Sequence, residues 1–179
     1  NEEEGETCKG YTRCFVEMAE SYIDIICGPD EVGQLEIVNI VLSCAAYFAD
    51  WEVARITFRF WYLLSENLDR LCKGSELHQR RMSQFCPVFV RLFAVATKLA
   101  ALPQDFSELS KPDQEDFIFF RDRDCRDVIM DCCAVLAAGP CLQMAANAMF
   151  QTTSHLQAAI TASAGGQQQQ QQQVSNKYI

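Results

Sequence analysis

Six segments of the chain carry apolar residues at steps of three and four, and no stretch of useful length alternates as a strand would. The first places Tyr11, Phe15, Met18, Tyr22 and Ile25 in register and stops at Gly28-Pro29-Asp30. The second aligns Leu35, Val38, Leu42 and Ala45. Asp50 is placed to cap the third, which sets Val53, Phe60, Leu64, Leu68 and Leu71 on one face and runs out at Lys73-Gly74. The fourth covers about 75–101, with Phe85, Phe89, Leu92, Ala96 and Leu99 in line. Pro87 lies inside it and is expected to kink it, because proline removes a backbone donor and crowds the preceding turn. Residues 102–116 break the pattern with Pro103, Pro112 and five acids. The fifth helix is expected over about 117–138, with Phe120, Val128, Cys132 and Val135 inward, ended by Gly139-Pro140. The sixth carries Leu142, Ala145, Met149 and Phe150 and is drawn on towards Leu156 and Ile160.

Helices that pair through short turns predict an all-α chain of three antiparallel hairpins stacked as a HEAT-type α-solenoid. The first two hairpins are offset by about forty residues, the HEAT or armadillo period. A compact six-helix domain is the alternative that periodicity leaves open. The expected organisation is an acidic flexible start at 1–9, the hairpins over 10–160 with an acidic loop at 102–116, and a low-complexity linker or insertion at 161–179. Gln167–Gln173 cannot bury enough apolar area to order themselves. Opening on Asn1 and closing just after that tract, the sequence reads as a piece of a longer protein.

Charge restricts the partners. The net charge is −9, whereas binding nucleic-acid phosphates draws on clustered Lys and Arg. Direct nucleic-acid binding is therefore not expected, nor is an anionic membrane surface. Four acids and one base fall in residues 1–9, and five acids and one base in 102–116, which leaves the rest nearly neutral. Either segment is a solvated face or a docking point for a basic partner. The candidates in the second are Asp105, Glu108, Asp113, Glu115 and Asp116.

The ten cysteines follow neither a disulfide framework nor a zinc pattern. Most lie in apolar stretches, where a free thiol packs as a small hydrophobe, and this points to a reducing compartment. No metal or cofactor is expected. The apolar run 128–150 is interrupted by Asp131 and Gly139-Pro140, which argues against a membrane span.

The run Phe58-Arg59-Phe60-Trp61-Tyr62 puts Phe60 in the core, Trp61 on a flank against the next hairpin and Tyr62 nearly opposite. The alternating stretch Arg121–Asp127 can pair Asp122 with Arg126 and Arg123 with Asp127 across a helical turn. His78 and His155 are isolated, no glycine-rich phosphate cradle occurs, and no nucleophile has a base and an orienting group at hand. An enzyme is not expected.

Residues 12–22 (Thr12-Arg13-Cys14-Phe15-Val16-Glu17-Met18-Ala19-Glu20-Ser21-Tyr22) and Trp51-Glu52-Val53 leading into the run 58–68 resemble the middle repeats of the transportin-SR family. These are nuclear import receptors of the importin-β superfamily. The pattern continues with a long helix, an acid-rich loop and Asp116-Phe117-Ile118-Phe119-Phe120-Arg121 followed by Asp127-Val128-Ile129. The resemblance covers about 7–150 and departs at Pro87 and at the glutamine tract. It implies a HEAT superhelix that shuttles between nucleus and cytoplasm and carries protein cargo through nuclear pores by way of nucleoporins. It further implies release by Ran-GTP, with serine/arginine-rich splicing factors, basic or phosphorylated, as typical cargo. The helix with which that family reads phosphoserines lies further C-terminal. The acidic loop occupies the place where relatives carry one near Ran and cargo. A static scaffold, such as a phosphatase regulatory subunit, is the alternative, and it would lack any GTPase dependence.

Overall fold

The computed structural model describes residues 2–29 and 34–154. Its helices are α1 (Glu2–Ser21), α2 (Ile23–Cys27), α3 (Gln34–Ala45), α4 (Trp51–Ile56), α5 (Phe58–Arg70), α6 (Glu76–Leu99), α7 (Lys111–Phe119) and α8 (Arg126–Leu136). A last helix, α9, covers 138–154 of the described residues. A 3₁₀ turn spans Phe106–Glu108, and a π-helical stretch, Phe120–Cys125, joins α7 to α8. No strand occurs among the described residues. Two compact units divide the chain, the first ending at Cys141 and the second beginning at Leu142.

Within the first unit α1 packs on α3, α4 and α5, and α2 packs on α5. Next, α3 packs on α6, and both α5 and α6 pack on α8. Alternate helices thus pack layer on layer, and the main contacts of α8 are with the preceding pair. That is the stacking of a helical-repeat solenoid, in which each hairpin is buried by its neighbour.

Several expected elements change when packed. The acidic segment 1–9, expected as a flexible start, is helical from Glu2 and continuous with α1. The stripe Tyr11, Met18, Tyr22 and Ile25 faces solvent, while Thr12, Val16, Ala19, Ile26 and Cys27 are buried. Asp50 caps α4 as expected, accepting from Glu52 N at 2.9 Å. The third helix is broken at Thr57, whose buried hydroxyl donates to Ala54 O (2.7 Å) and accepts from Trp61 Nε1 (3.2 Å). Trp61 is fully buried edge-on to Phe89 of α6, the other helix of its own hairpin. The helix α6 runs unbroken through Pro87, which is exposed.

The expected acidic loop is shorter than 102–116, because α7 begins at Lys111. Ser110 caps it, accepting from Asp113 N and donating to Asp113 Oδ2 at 2.6 Å, and Pro112 sits in the first turn. The fifth helix ends at Leu136 rather than at Gly139-Pro140. Ala137 makes the break at φ 66° and ψ 152°, a region that favours glycine. Leu142, Met149 and Phe150 are exposed. His155, Leu156, Ile160 and the glutamine tract lie outside the described residues.

By length and composition α6 could cross a membrane. Its buried row Phe85, Phe89, Leu92 and Ala96 and the buried Arg81 instead mark it as a core helix between α3 and α8.

Candidate functional site

Successive hairpins are joined through the connections 46–50 and 100–110, which lie side by side and wall a groove of about 770 Å³. Asp105, Asp113 and Asp116 line it from the second connection and the first turns of α7. Asp50 and Glu52 line it from the start of α4. Glu108 closes the 3₁₀ turn and Glu115 rides on α7, both exposed, and neither lines the groove. All five acids singled out in the sequence are exposed, and the fold brings three of them together. Phe48, Leu102 and Phe117 give the groove an apolar component. Lys98 Nζ stands 3.8 Å above the Phe48 ring.

The other acidic segment meets the same place. Lys9 of α1 pairs with Glu6 (3.2 Å), Asp50 (3.4 Å) and Glu52. Hydrogen bonding to Glu52, against a smaller opposing effect of burial, holds Lys9 charged well above the usual lysine range, and Glu6 and Asp50 add to this. Two stretches that are remote in the chain therefore converge on one edge, where α1, α4 and α7 all begin. A helix N-terminus favours nearby carboxylates by roughly 0.3–1 kcal/mol each, so part of this acid serves the fold. Asp50 and Asp113 are visibly engaged in capping. Asp105, Glu108, Glu115 and Asp116 make no such contact among those the structure shows.

A second groove, of about 530 Å³, lies between α5 and the π-helix and α8 segment and mixes both signs of charge with Phe58, Tyr62 and Met130. There Arg55 Nε meets the buried Asp124 Oδ2 at 2.7 Å, an ion pair rather than an aligned hydrogen bond. The expected pairs Asp122–Arg126 and Arg123–Asp127 give way to the adjacent pairs Arg121–Asp122 (2.7 Å) and Arg126–Asp127 (3.2 Å). The π-helical turn is wider, so residues four apart no longer face one another.

Burial first, then the neighbouring charges of Asp127 and Glu66, push the Asp131 carboxyl up to about 6. A carboxyl raised in the folded state stabilises while protonated. Its contribution is complete below the unfolded value near 3.8 and is lost as pH rises through about 6. The unfolding midpoint of wild type is expected to fall between pH 4.5 and 7 more than that of Asp131→Asn, by a margin that solvent screening keeps small. Parallel denaturant titrations at several pH values check this, and identical slopes for the two proteins would refute it.

Layered helical hairpins of this kind define a helical-repeat protein. A family model described as "Transportin-3/Importin-13 second TPR domain" matches residues 3–98, more than half of the chain, and the chain belongs to that family. Its description names the array TPR where the sequence suggested HEAT, and both are stacks of antiparallel helical pairs. Membership places the chain in the transportin and importin receptor family, which is not enzymatic. "Transportin MOS14" of Arabidopsis thaliana is 27% identical over 149 residues, 78% of this chain and 15% of that protein. An uncharacterised protein of Schizosaccharomyces pombe is 24% identical over 151 residues, 76% of this chain and 15% of its own length. The chain thus spans about 15% of the length of these relatives. No solved structure matches it.

Proposed function

We propose that this chain is part of a nuclear transport receptor that shuttles between nucleus and cytoplasm, carries protein cargo through nuclear pores and releases it under control of Ran-GTP. In this reading nucleoporins are the pore contacts and serine/arginine-rich proteins the cargo class. The acidic edge receives the basic surface of a partner. The single observation that carries the site reading is the gathering of Asp50, Glu52, Asp105, Asp113 and Asp116 around one groove. Carboxylates concentrated on a rim attract a basic protein from a distance and speed its association, an effect that salt screens.

The test uses the full-length receptor carrying Asp105→Asn, Glu108→Gln, Asp113→Asn, Glu115→Gln and Asp116→Asn together. Asparagine at 113 keeps an acceptor for the Ser110 cap, so the fold is expected to survive. Binding of Ran-GTP, or of an arginine-rich cargo peptide, is expected to weaken on the order of tenfold at low salt, about 1.4 kcal/mol. The difference is expected to shrink as salt rises. Superimposable titrations for both partners would reduce the edge to helix capping and solvation. A wild-type receptor indifferent to Ran-GTP would favour the static scaffold instead.

A further inference from the structure

Among the rings around the acidic groove, Phe48 stands apart. Trp51 and Phe117 also line that groove, but both contact the buried Phe120 and belong to the packed joint beneath it. Phe48 lies in the connection 46–50, is 43% exposed and carries on its face a cation, Lys98 Nζ, 3.8 Å from the ring centroid. Lys98 belongs to the last turn of α6, where a helix end favours positive charge. It also lines the groove, yet among the described residues it forms no ion pair with the carboxylates around it. Of those carboxylates, Asp50 and Glu52 are engaged by Lys9, and Asp113 by Ser110. Asp105 and Asp116 line the same groove, are exposed and have no ion pair among the described residues.

Resting on the reading of this edge as a docking site for a basic partner, we propose that the groove takes one arginine side chain of that partner. It lies on the Phe48 ring in place of Lys98, with its guanidinium turned to Asp105 and Asp116. A guanidinium is planar and weakly hydrated, so it stacks on an aromatic face while its edge donates to carboxylates. An ammonium is a compact, strongly hydrated charge and cannot divide itself in this way. Leu102 and Pro103 supply apolar wall for the aliphatic stem. Lys98 is then an internal competitor. It covers the ring in the free protein, and its flexible stem lets it leave without disturbing α6. Complementary charge brings the partner to the edge, whereas Phe48 and Lys98 set which cation is kept.

The probes are a labelled peptide alternating arginine and glycine and its lysine counterpart. Both are titrated into the full-length receptor at moderate ionic strength, where distant charges are screened. Phe48→Leu is expected to weaken the arginine peptide roughly two- to fivefold and to move the lysine peptide less, while Phe48→Tyr restores the wild-type affinity. Lys98→Gln is expected to strengthen the arginine peptide by a similar factor. In the Phe48→Leu background the same Lys98→Gln change is expected to gain nothing, because no ring is left to free. Circular dichroism of each variant accompanies the titrations, and Phe48 is exposed enough for its variants to fold. An equal gain from Lys98→Gln in both backgrounds would reduce Lys98 to plain charge repulsion and overturn the proposal. So would a Phe48→Leu receptor that binds the arginine peptide as wild type does. The five-site neutral variant separates this from the broader reading. If that variant weakens binding while changes at 48 and 98 do not, the edge still receives a basic partner and only the arginine seat is lost. If neither set of changes moves the titration, both readings fall.

Discussion

Phe120→Ala is expected to cost about 3–5 kcal/mol, the range for removing a fully buried phenylalanine. The ring has no exposed surface and stacks between Trp51 (centroids 4.7 Å apart) and Phe58 (5.8 Å, nearly parallel). Phe117, Ala54, Leu99 and Cys125 complete the cluster. This cluster is where the hairpin holding α4 to α6 meets α7 and the π-helical stretch, so truncation empties the joint between two hairpins and not the middle of one. Stability in stacked repeats is approximately a sum of hairpin and nearest-neighbour terms, and a damaged joint uncouples its two sides.

The two tryptophans report on this separately. Trp51 sits in the joint, whereas Trp61 is buried within its own hairpin against Phe60 and Phe89. In the variant the Trp51 signal is expected to change at a urea concentration roughly 1 M or more below wild type, with Trp61 following later. Each can be followed alone after a Trp→Phe change at the other. Phe119→Ala is the control, because that ring is 46% exposed beneath Arg55 and Arg123. It is expected to cost less than about 1 kcal/mol. Equal losses at 119 and 120 would refute the placement of the core.

The contrast between those neighbours shows what periodicity reveals. Where a helix has one buried row, as in α6, the aligned residues of the sequence are the buried residues of the structure. Across α1 and α2 the conspicuous stripe Tyr11, Met18, Tyr22 and Ile25 is exposed, and the buried row of α1 is the less apolar Thr12, Val16 and Ala19. Solenoid helices carry more than one apolar face because neighbours stack on several sides, so the strongest stripe need not face the nearest partner. The start of α7 was hidden for a different reason. Pro112 read as a breaker, although Ser110, Pro112 and Asp113 together form a helix start.

The candidate site was half legible. Acid runs at 1–9 and 102–116 stand out in the sequence, but only the packing of α1 on α4 shows that Lys9, Asp50 and Glu52 link them. Asp50 was recognisable as a cap, and its second role needed the fold.

Arg81→Ala is expected to lose about 3 kcal/mol, although an arginine on a long helix ordinarily reads as a solvated side chain. It has no exposed surface. Nε donates to Gly28 O at 2.9 Å, Nη2 donates to the same oxygen, and Nη1 donates to Gln84 Oε1. The guanidinium therefore anchors the end of α2 to the body of α6, across 53 residues of sequence. Burying a cation is costly, and replacing one by an apolar group is often neutral when the partners can be resolvated. One of the partners here is a backbone carbonyl at a helix end, and truncation leaves it short of its donors as well as opening a cavity. Gly28 is fixed by the same geometry, because a Cβ there would come within 2.8 Å of Asp24 O, a backbone atom that cannot move aside alone. Gly28→Ala is thus expected to displace the oxygen that Arg81 holds. The two changes combined are then expected to cost at least about 1 kcal/mol less than the sum of each alone. Urea unfolding of both single variants and the double variant measures the coupling. Strict additivity, or a loss below about 1 kcal/mol for Arg81→Ala, would show that the guanidinium is merely enclosed and does not hold α2 to α6.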